Sequence, residues 1–423
     1  MQPTLKQAAG LAAIVADEAA VIADMTAMLA RDTSFPPGDG YSEFADLLEP
    51  GLVELGFTCD RVIVPPALWG APGAFGARTN LIASRRTGRP VCALYFHADT
   101  VPPGDGWTRP PLACTREGDR IYGRGAADMK GSIAAVLAAL RAARAAGVAL
   151  AYDPMLLLCT DEEGGLYPGI RYLAEQNLIE GHLLSFNGGA APRIWAGCFG
   201  SMDLLVTVHG RSAHSGDGVG VNAIEAALPA LHALSALKTK VEARVSAMPP
   251  PPGRAALLAA RLNITAAHGG AKGSAIPGRF EFIINRRYLP EEDAVSVRAE
   301  IDAVIADNMP AALGYDITLV GHLAPVSDPG GPHWPRWQAA LSEGFGFPAD
   351  SFRRWGAASS SDMGWVQRAG IQEILLGGLG RPDRNIHAAD EFTTLGDITA
   401  LAKSVLAYLA ADFAPALIPE TAP

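Results

Sequence analysis

The N-terminus lacks a basic stretch followed by a continuous apolar run. Residues 5–30 instead interleave Ala, Ile, Val and Leu with Lys6, Asp17, Glu18 and Asp24. That mixture predicts an amphipathic surface helix and excludes a signal peptide or membrane span there. The five cysteines, Cys59, Cys92, Cys114, Cys159 and Cys198, are odd in number and none is spaced as CxxC. Reduced, mostly buried thiols in the cytoplasm fit this better than a disulfide framework. Charged residues make up only 18% of the chain, with 44 acidic against 34 basic side chains and a net charge of −10. Nucleic acid and anionic membrane are poor partners for such a surface, although a locally positive pocket could still take a small anion. There is no fixed-period repeat. The GRG at 123–125 lacks the third glycine of a dinucleotide fingerprint, and GGAKGS at 269–274 lacks phosphate-loop spacing.

What is present is apolar bulk: 423 residues, 49% of them hydrophobic, enough for a well-buried globular protein of two domains. The run VCALYF at 91–96 predicts a strand buried on both faces. An Ala/Leu-rich helix follows at 129–146, closed by Gly147, and MLLLC at 155–159 predicts a second buried strand. Strand, helix and strand give a βαβ unit and a mostly parallel sheet covered by helices. The rhythm changes near Phe199. Strands at 202–208, 257–266, 280–286 and 315–320 and helices at 219–240 and 291–308 predict a βαββαβ, ferredoxin-like α+β sandwich. Gly-rich turns and apolar strands such as 371–376 then resume. The expected architecture is α/β: a catalytic domain in two parts, 1–198 and 323–423, with a domain inserted at 199–322.

Four clusters could carry chemistry. His97 and Asp99 end a buried strand, where open α/β sheets place ligands; the carboxylate could fix the ring's tautomer. Asp128 lies in GRGAADMKG at 123–131, where a helix cap is the alternative role. Asp161, Glu162 and Glu163 follow the next strand and would repel one another unless a cation sat among them. His387, Asp390 and Glu391 lie in NIHAADE at 385–391. His, Asp and Glu on separate loops are the donor mixture of a catalytic zinc, cobalt or manganese centre, and paired glutamates can divide metal binding from proton transfer.

These motifs, with RSAHSG at 211–216, follow the order H-x-D, G-R-G-x-x-D-M-K-G, D-E-E, R-x-x-H-S-G and I-H-x-x-D-E. That order resembles the aminoacylase, acetylornithine deacetylase, succinyl-diaminopimelate desuccinylase and carboxypeptidase G family of metallopeptidases, over essentially the whole chain. The resemblance implies that Asp128 bridges two metals, that His97 binds the first, and that Glu163 and His387 bind the second. It makes Glu162 the general base and Asp99 the group that orients His97. It also implies that the inserted domain dimerises and that His214 reaches the partner subunit's site to stabilise an oxyanion. Arg287, in NRRYLP at 285–290, would receive a substrate carboxylate, a task suited to a guanidinium fork; a surface salt bridge is its alternative.

Two positions depart from the family pattern. Asn187 stands where a further metal-binding carboxylate is expected. A neutral amide is the poorer ligand, so one tight ion, held chiefly by Asp128, Glu163 and His387, is expected, with a second weak or absent. An aspartate changed by design would read identically. Ser274 replaces an asparagine that would bind the substrate's carbonyl region. The leading expectation is a cytoplasmic, homodimeric hydrolase of an amide or acyl-amino bond in a small carboxylate-bearing substrate. The alternative, resembling the family's aromatic aminohydrolases, replaces a ring amine by hydroxide, as for 5-nitroanthranilate. A non-catalytic binding protein is disfavoured because Glu162, useful only for proton transfer, is retained.

Overall fold

The computed structural model describes residues 4–70, 73–164, 167–253, 257–310 and 313–413. The outermost residues of the expected domains, 1–3 and 414–423, lie outside them. The chain forms two compact units: residues 1–195, 329–354 and 365–423, and residues 196–328 with 355–364.

The first unit is built on a six-stranded sheet: β1 (Thr58–Ile63), β2 (Thr79–Ser84), β3 (Val91–His97), β4 (Asp153–Cys159), β5 (His182–Ser185) and β6 (Ile374–Leu376), in the order β1-β2-β4-β3-β5-β6. β3 runs parallel to both β4 and β5, and β5 to β6; the two pairings that add β2 and β1 are antiparallel. β3 and β4 have no polar face because both sides are covered, as their unbroken apolar runs require. Helix α1 (Gly131–Ala145) makes the crossover between them and ends at Gly147, whose φ of +60° suits glycine. Helix α2 (Leu395–Leu409) starts at the Thr394 cap. Parallel pairing brings the C-terminal ends of β3, β4 and β5 to one edge of the sheet, and the segments leaving them carry His97 to Asp99, Thr160 to Glu163, and Asn187.

Regular helix begins two residues later than the apolar pattern suggests. Residues Ala126–Lys130 form a wider turn in which Asp128 (φ −127°, ψ 87°) and Met129 (φ −140°, ψ 28°) are not helical. Long-range partners hold this turn open: Glu391 takes its amides, and the buried Lys130 ammonium donates to the carbonyls of Met28 and Arg31. The N-terminal amphipathic segment is likewise two helices, Leu5–Ala16 and Glu18–Leu29, meeting at Asp17.

The second unit carries an antiparallel sheet of Arg261–Gly269, Arg279–Tyr288, Gly200–His209 and Gly314–Leu323, in that order, with helices Ala223–Glu242 and Ala294–Asn308. This is the βαββαβ pattern. Leu204, Val206, Phe282 and Ile284 from the strands meet Leu234, Leu237, Ile301 and Ile305 from the helices in its core. Asn222 and Asp293 cap the two helices with their side chains. The strand expected from 257 starts at Arg261, because residues 258–260 bond instead to the backbone of Arg244 and Ser246. No described helix is long and apolar enough to cross a membrane.

Candidate metal centre

His97 is the last residue of β3 and is buried. Its Nε2 lies 3.1 Å from Asp128 Oδ1. On the far side of the ring, Nδ1 lies 3.0 Å from the main-chain oxygen of Asp99 and 3.8 Å from that residue's carboxylate. Asp99 thus meets the ring chiefly through its carbonyl, while its Oδ2 accepts from the Glu163 amide at 2.8 Å. The other oxygen of Asp128 lies 3.3 Å from Nε2 of His387, and the same nitrogen is 3.0 Å from Glu163 Oε2. Asp128 therefore sits between two imidazoles rather than capping α1, which has no side-chain cap. One donor atom each from His97, Asp128 and Glu163 falls within 4.8 Å of the others.

Of the three consecutive carboxylates, Asp161 is not part of this cluster. It accepts from Arg78 Nε at 2.8 Å and from the Tyr41 hydroxyl at 2.9 Å, and Arg78 packs 3.9 Å over the Trp69 ring. Repulsion within the triplet is relieved by this buried guanidinium as well as by whatever cation the site takes. Asp161 (φ 61°), Asn385 (φ 52°), His387 (φ 65°) and Asp390 (φ 54°) all adopt left-handed backbone. Such conformations cost energy for a residue with a Cβ and gather where surrounding structure enforces them.

Glu162 and Asn187 meet directly: the Asn187 side-chain NH2 donates to Glu162 Oε1 at 2.7 Å. The amide in the expected ligand position is thus committed, on its nitrogen side, to the candidate base.

The electrostatics are those of a cation site. Hydrogen bonds to Asp128 and Glu163 hold the half-exposed His387 imidazolium up to about 10. Burial opposes protonation of His97, but its bond to Asp128 and the charges of Asp128, Glu162 and Asp99 outweigh that and raise it. For Asp128, burial pushes upward and is overcome by His387 and His97, which hold the carboxyl below its usual range. Burial raises Glu163 and Asp99. Asp99 Oδ1 is buried without a hydrogen-bond partner. Two imidazoles, several carboxylates and a net preference for positive charge fit a divalent transition metal.

The remaining expected residues lie in the second unit. His214 and Ser274 are neighbours there: His214 pairs with Ala275 in a short antiparallel ribbon, and the Ser215 amide donates to the Ser274 carbonyl at 3.0 Å. His214 is largely exposed. Arg287, near the end of Arg279–Tyr288, donates to Ser360 Oγ at 2.8 Å, and among the described residues no carboxylate is paired with it. Sequence reasoning missed three contributors: Ser360, in the triplet SSS at 359–361; the Arg78–Tyr41 clasp on Asp161; and the role of Glu391. For Glu391 the signal was its place in the last motif.

Comparison with known proteins identifies the family and the fold. The profile of Peptidase family M20/M25/M40 matches residues 93–411. The chain is 30% identical over 364 residues to the succinyl-diaminopimelate desuccinylase of Xylella fastidiosa (strain 9a5c), covering 83% of this chain and 88% of the relative. Its fold is similar to the dipeptidase Dug1p of Saccharomyces cerevisiae, with TM-score 0.77 and 18% identity over 95% of this chain and 97% of that one. It is also similar to the metallo-carboxypeptidase Sso-CP2 of Sulfolobus solfataricus, with TM-score 0.70 and 18% identity over 92% and 97%. With the metal-donor cluster in place at the edge of its sheet, the chain belongs to peptidase family M20/M25/M40, hydrolases of amide and peptide bonds.

Proposed function

We propose that this protein hydrolyses an amide or acyl-amino bond in a small carboxylate-bearing substrate. The observation that carries the proposal is the convergence of His97, Asp128, Glu163 and His387 beside a glutamate, Glu162, that accepts from the Asn187 amide. Zinc, manganese or cobalt, held by those four residues, would supply Lewis acidity toward the scissile carbonyl and toward water. Glu162 takes a proton from the attacking water and delivers it to the leaving nitrogen. Asp128 and Glu163 compensate the cation's charge, and the Asp99 carbonyl fixes His97 in one tautomer. Because Asn187 brings no charge, one ion binds tightly and a second weakly or not at all.

In the second unit, Arg287 receives the substrate carboxylate, Ser274 lies beside the carbonyl region, and His214 serves the partner subunit's site. The exposed imidazole of His214 and the exposed Ile264 and Leu319 on the two edge strands of that sheet support a homodimer formed through this unit. The free thiols support a cytoplasmic enzyme.

The test is turnover of N-succinyl and N-acetyl amino acids and of dipeptides by protein stripped of metal and reloaded with zinc, manganese or cobalt. No release of amine from any of them with any ion would sink the proposal. The Asn187–Glu162 bond favours one second reading. A site with one ion and an amide-held base suits replacement of a ring amine by hydroxide on a nitro-activated aromatic such as 5-nitroanthranilate, where there is no carbonyl to polarise. Ammonia release from that compound, without turnover of acyl-amino acids, would select it.

A further inference from the structure

Glu391 belongs to the last sequence motif, yet it is not among the donors that converge on the centre. It is 1% exposed, and its two oxygens are fully engaged. Oε1 accepts from the backbone amides of Ala127 at 2.9 Å and Asp128 at 3.1 Å. Oε2 accepts from the Gly125 amide at 3.0 Å and from Arg124 Nη1 at 2.7 Å. Arg124 is equally buried, and its Nη2 donates to the carbonyl of Ala388, the residue after His387, at 3.1 Å, and to that of Pro103 at 3.1 Å. One buried ion pair therefore grips the turn that presents Asp128 and the turn that presents His387. The loops are held by charge-assisted bonds to their main chains, next to the donor side chains themselves.

From this we infer that Arg124 and Glu391 are positioning residues: the pair sets the separation and direction of the Asp128 carboxylate and the His387 imidazole, and through them the affinity for metal. The inference rests on the metal reading above. A buried pair could instead serve stability alone, and the fold contains a control for that. Asp153 is 3% exposed and accepts four hydrogen bonds, from the amides of Thr87, Gly88 and Arg89 and from the Thr87 hydroxyl. It opens β4, at the end of the sheet opposite the centre. Removing it should loosen a loop to a similar degree without touching the donors.

The experiment compares Glu391→Gln, Glu391→Ala, Arg124→Lys and Asp153→Asn, full-length, by metal titration calorimetry and by denaturant unfolding of the metal-free protein. A glutamine can accept on one edge only, and a lysine offers a single nitrogen where Arg124 divides its bonds between Nη1, to Glu391, and Nη2, to Ala388 and Pro103. Glu391→Gln and Arg124→Lys should lower zinc or manganese affinity roughly 10- to 100-fold, the usual effect of losing an outer partner of a metal ligand. Asp153→Asn should lose comparable stability with metal affinity unchanged. Loss of stability with unaltered affinity in the Glu391 and Arg124 variants would overturn the inference; should Glu391→Ala fail to fold, the two conservative variants decide. Wild-type protein that takes up no divalent ion would sink the metal reading itself, and this inference with it.

Discussion

Asn187 donates its side-chain amide to Oε1 of Glu162 at 2.7 Å, joining the one position that departs from the expected donor set to the residue assigned to proton transfer. A carboxylate at 187 could not make this bond. It would place two like charges in contact unless a cation lay between them.

Glu162→Gln should remove nearly all turnover, by roughly 100- to 10,000-fold, while metal content stays at the wild-type level, because Glu162 is assigned to proton transfer and not to ligation. Steady-state rates and elemental analysis of the same preparation check both halves. A variant retaining more than about a tenth of the wild-type rate would refute the assignment.

Asn187→Asp should raise metal occupancy from about one ion per chain toward two, since the added charge supplies what the amide lacks. Elemental analysis after dialysis against a mild chelator measures this. Two ions retained by the unaltered protein would show that the substitution matters less than its chemistry suggests.

Subunit mixing tests the role of His214. His214→Ala and Glu162→Ala proteins should each be inactive, and a mixture that has exchanged subunits should recover partial activity. Absence of recovery after exchange has been verified would count against the arrangement in trans.

His182 offers a test remote from the metal. Its Nε2 lies 2.6 Å from the Tyr408 hydroxyl and its ring stacks 3.7 Å from that of His333. Burial, with the charge of His333, pushes its pKa down to about 3. An unfolded histidine titrates near 6.5, so between about pH 6.5 and 3 the unfolded chain binds a proton that the folded chain refuses. Stability therefore falls as pH is lowered through that window, by at most about 1.4 kcal/mol per pH unit from this group. Denaturant midpoints across the window should fall less steeply for His182→Gln. An identical slope would show that the imidazole is not responsible.

The parts of the fold that were legible in the sequence are those whose signal is local. VCALYF and MLLLC read as buried strands because flanking helices leave them no polar face, and the βαββαβ order follows from alternating short patterns. The antiparallel β1 and β2, at one side of the sheet, carry weaker patterns and went unread. The convergence of His97, Asp128, Glu163 and His387 was legible because the residue types a metal site could use are few. Their supports were not. Glu391 meets Asp128 across 263 residues of sequence, and Arg78 meets Asp161 across 83. Nothing in a local window distinguishes a carboxylate buried against main-chain amides from one left in water.

The route of the chain between its two units bears on how the protein is made. The second unit is nearly contiguous, whereas the first must wait: β6, the turn bearing His387 and Glu391, and helix α2 all leave the ribosome after residue 370. Until then β5 lacks its outer neighbour, Asp128 lacks one of its two imidazoles, and the amides of the 123–131 turn lack their acceptor. A nascent or prematurely terminated chain thus carries an exposed strand edge, which invites aggregation, and an incomplete set of donors. Only once translation has passed residue 391 can Asp128 meet its second imidazole and the 123–131 turn meet the carboxylate that takes its amides.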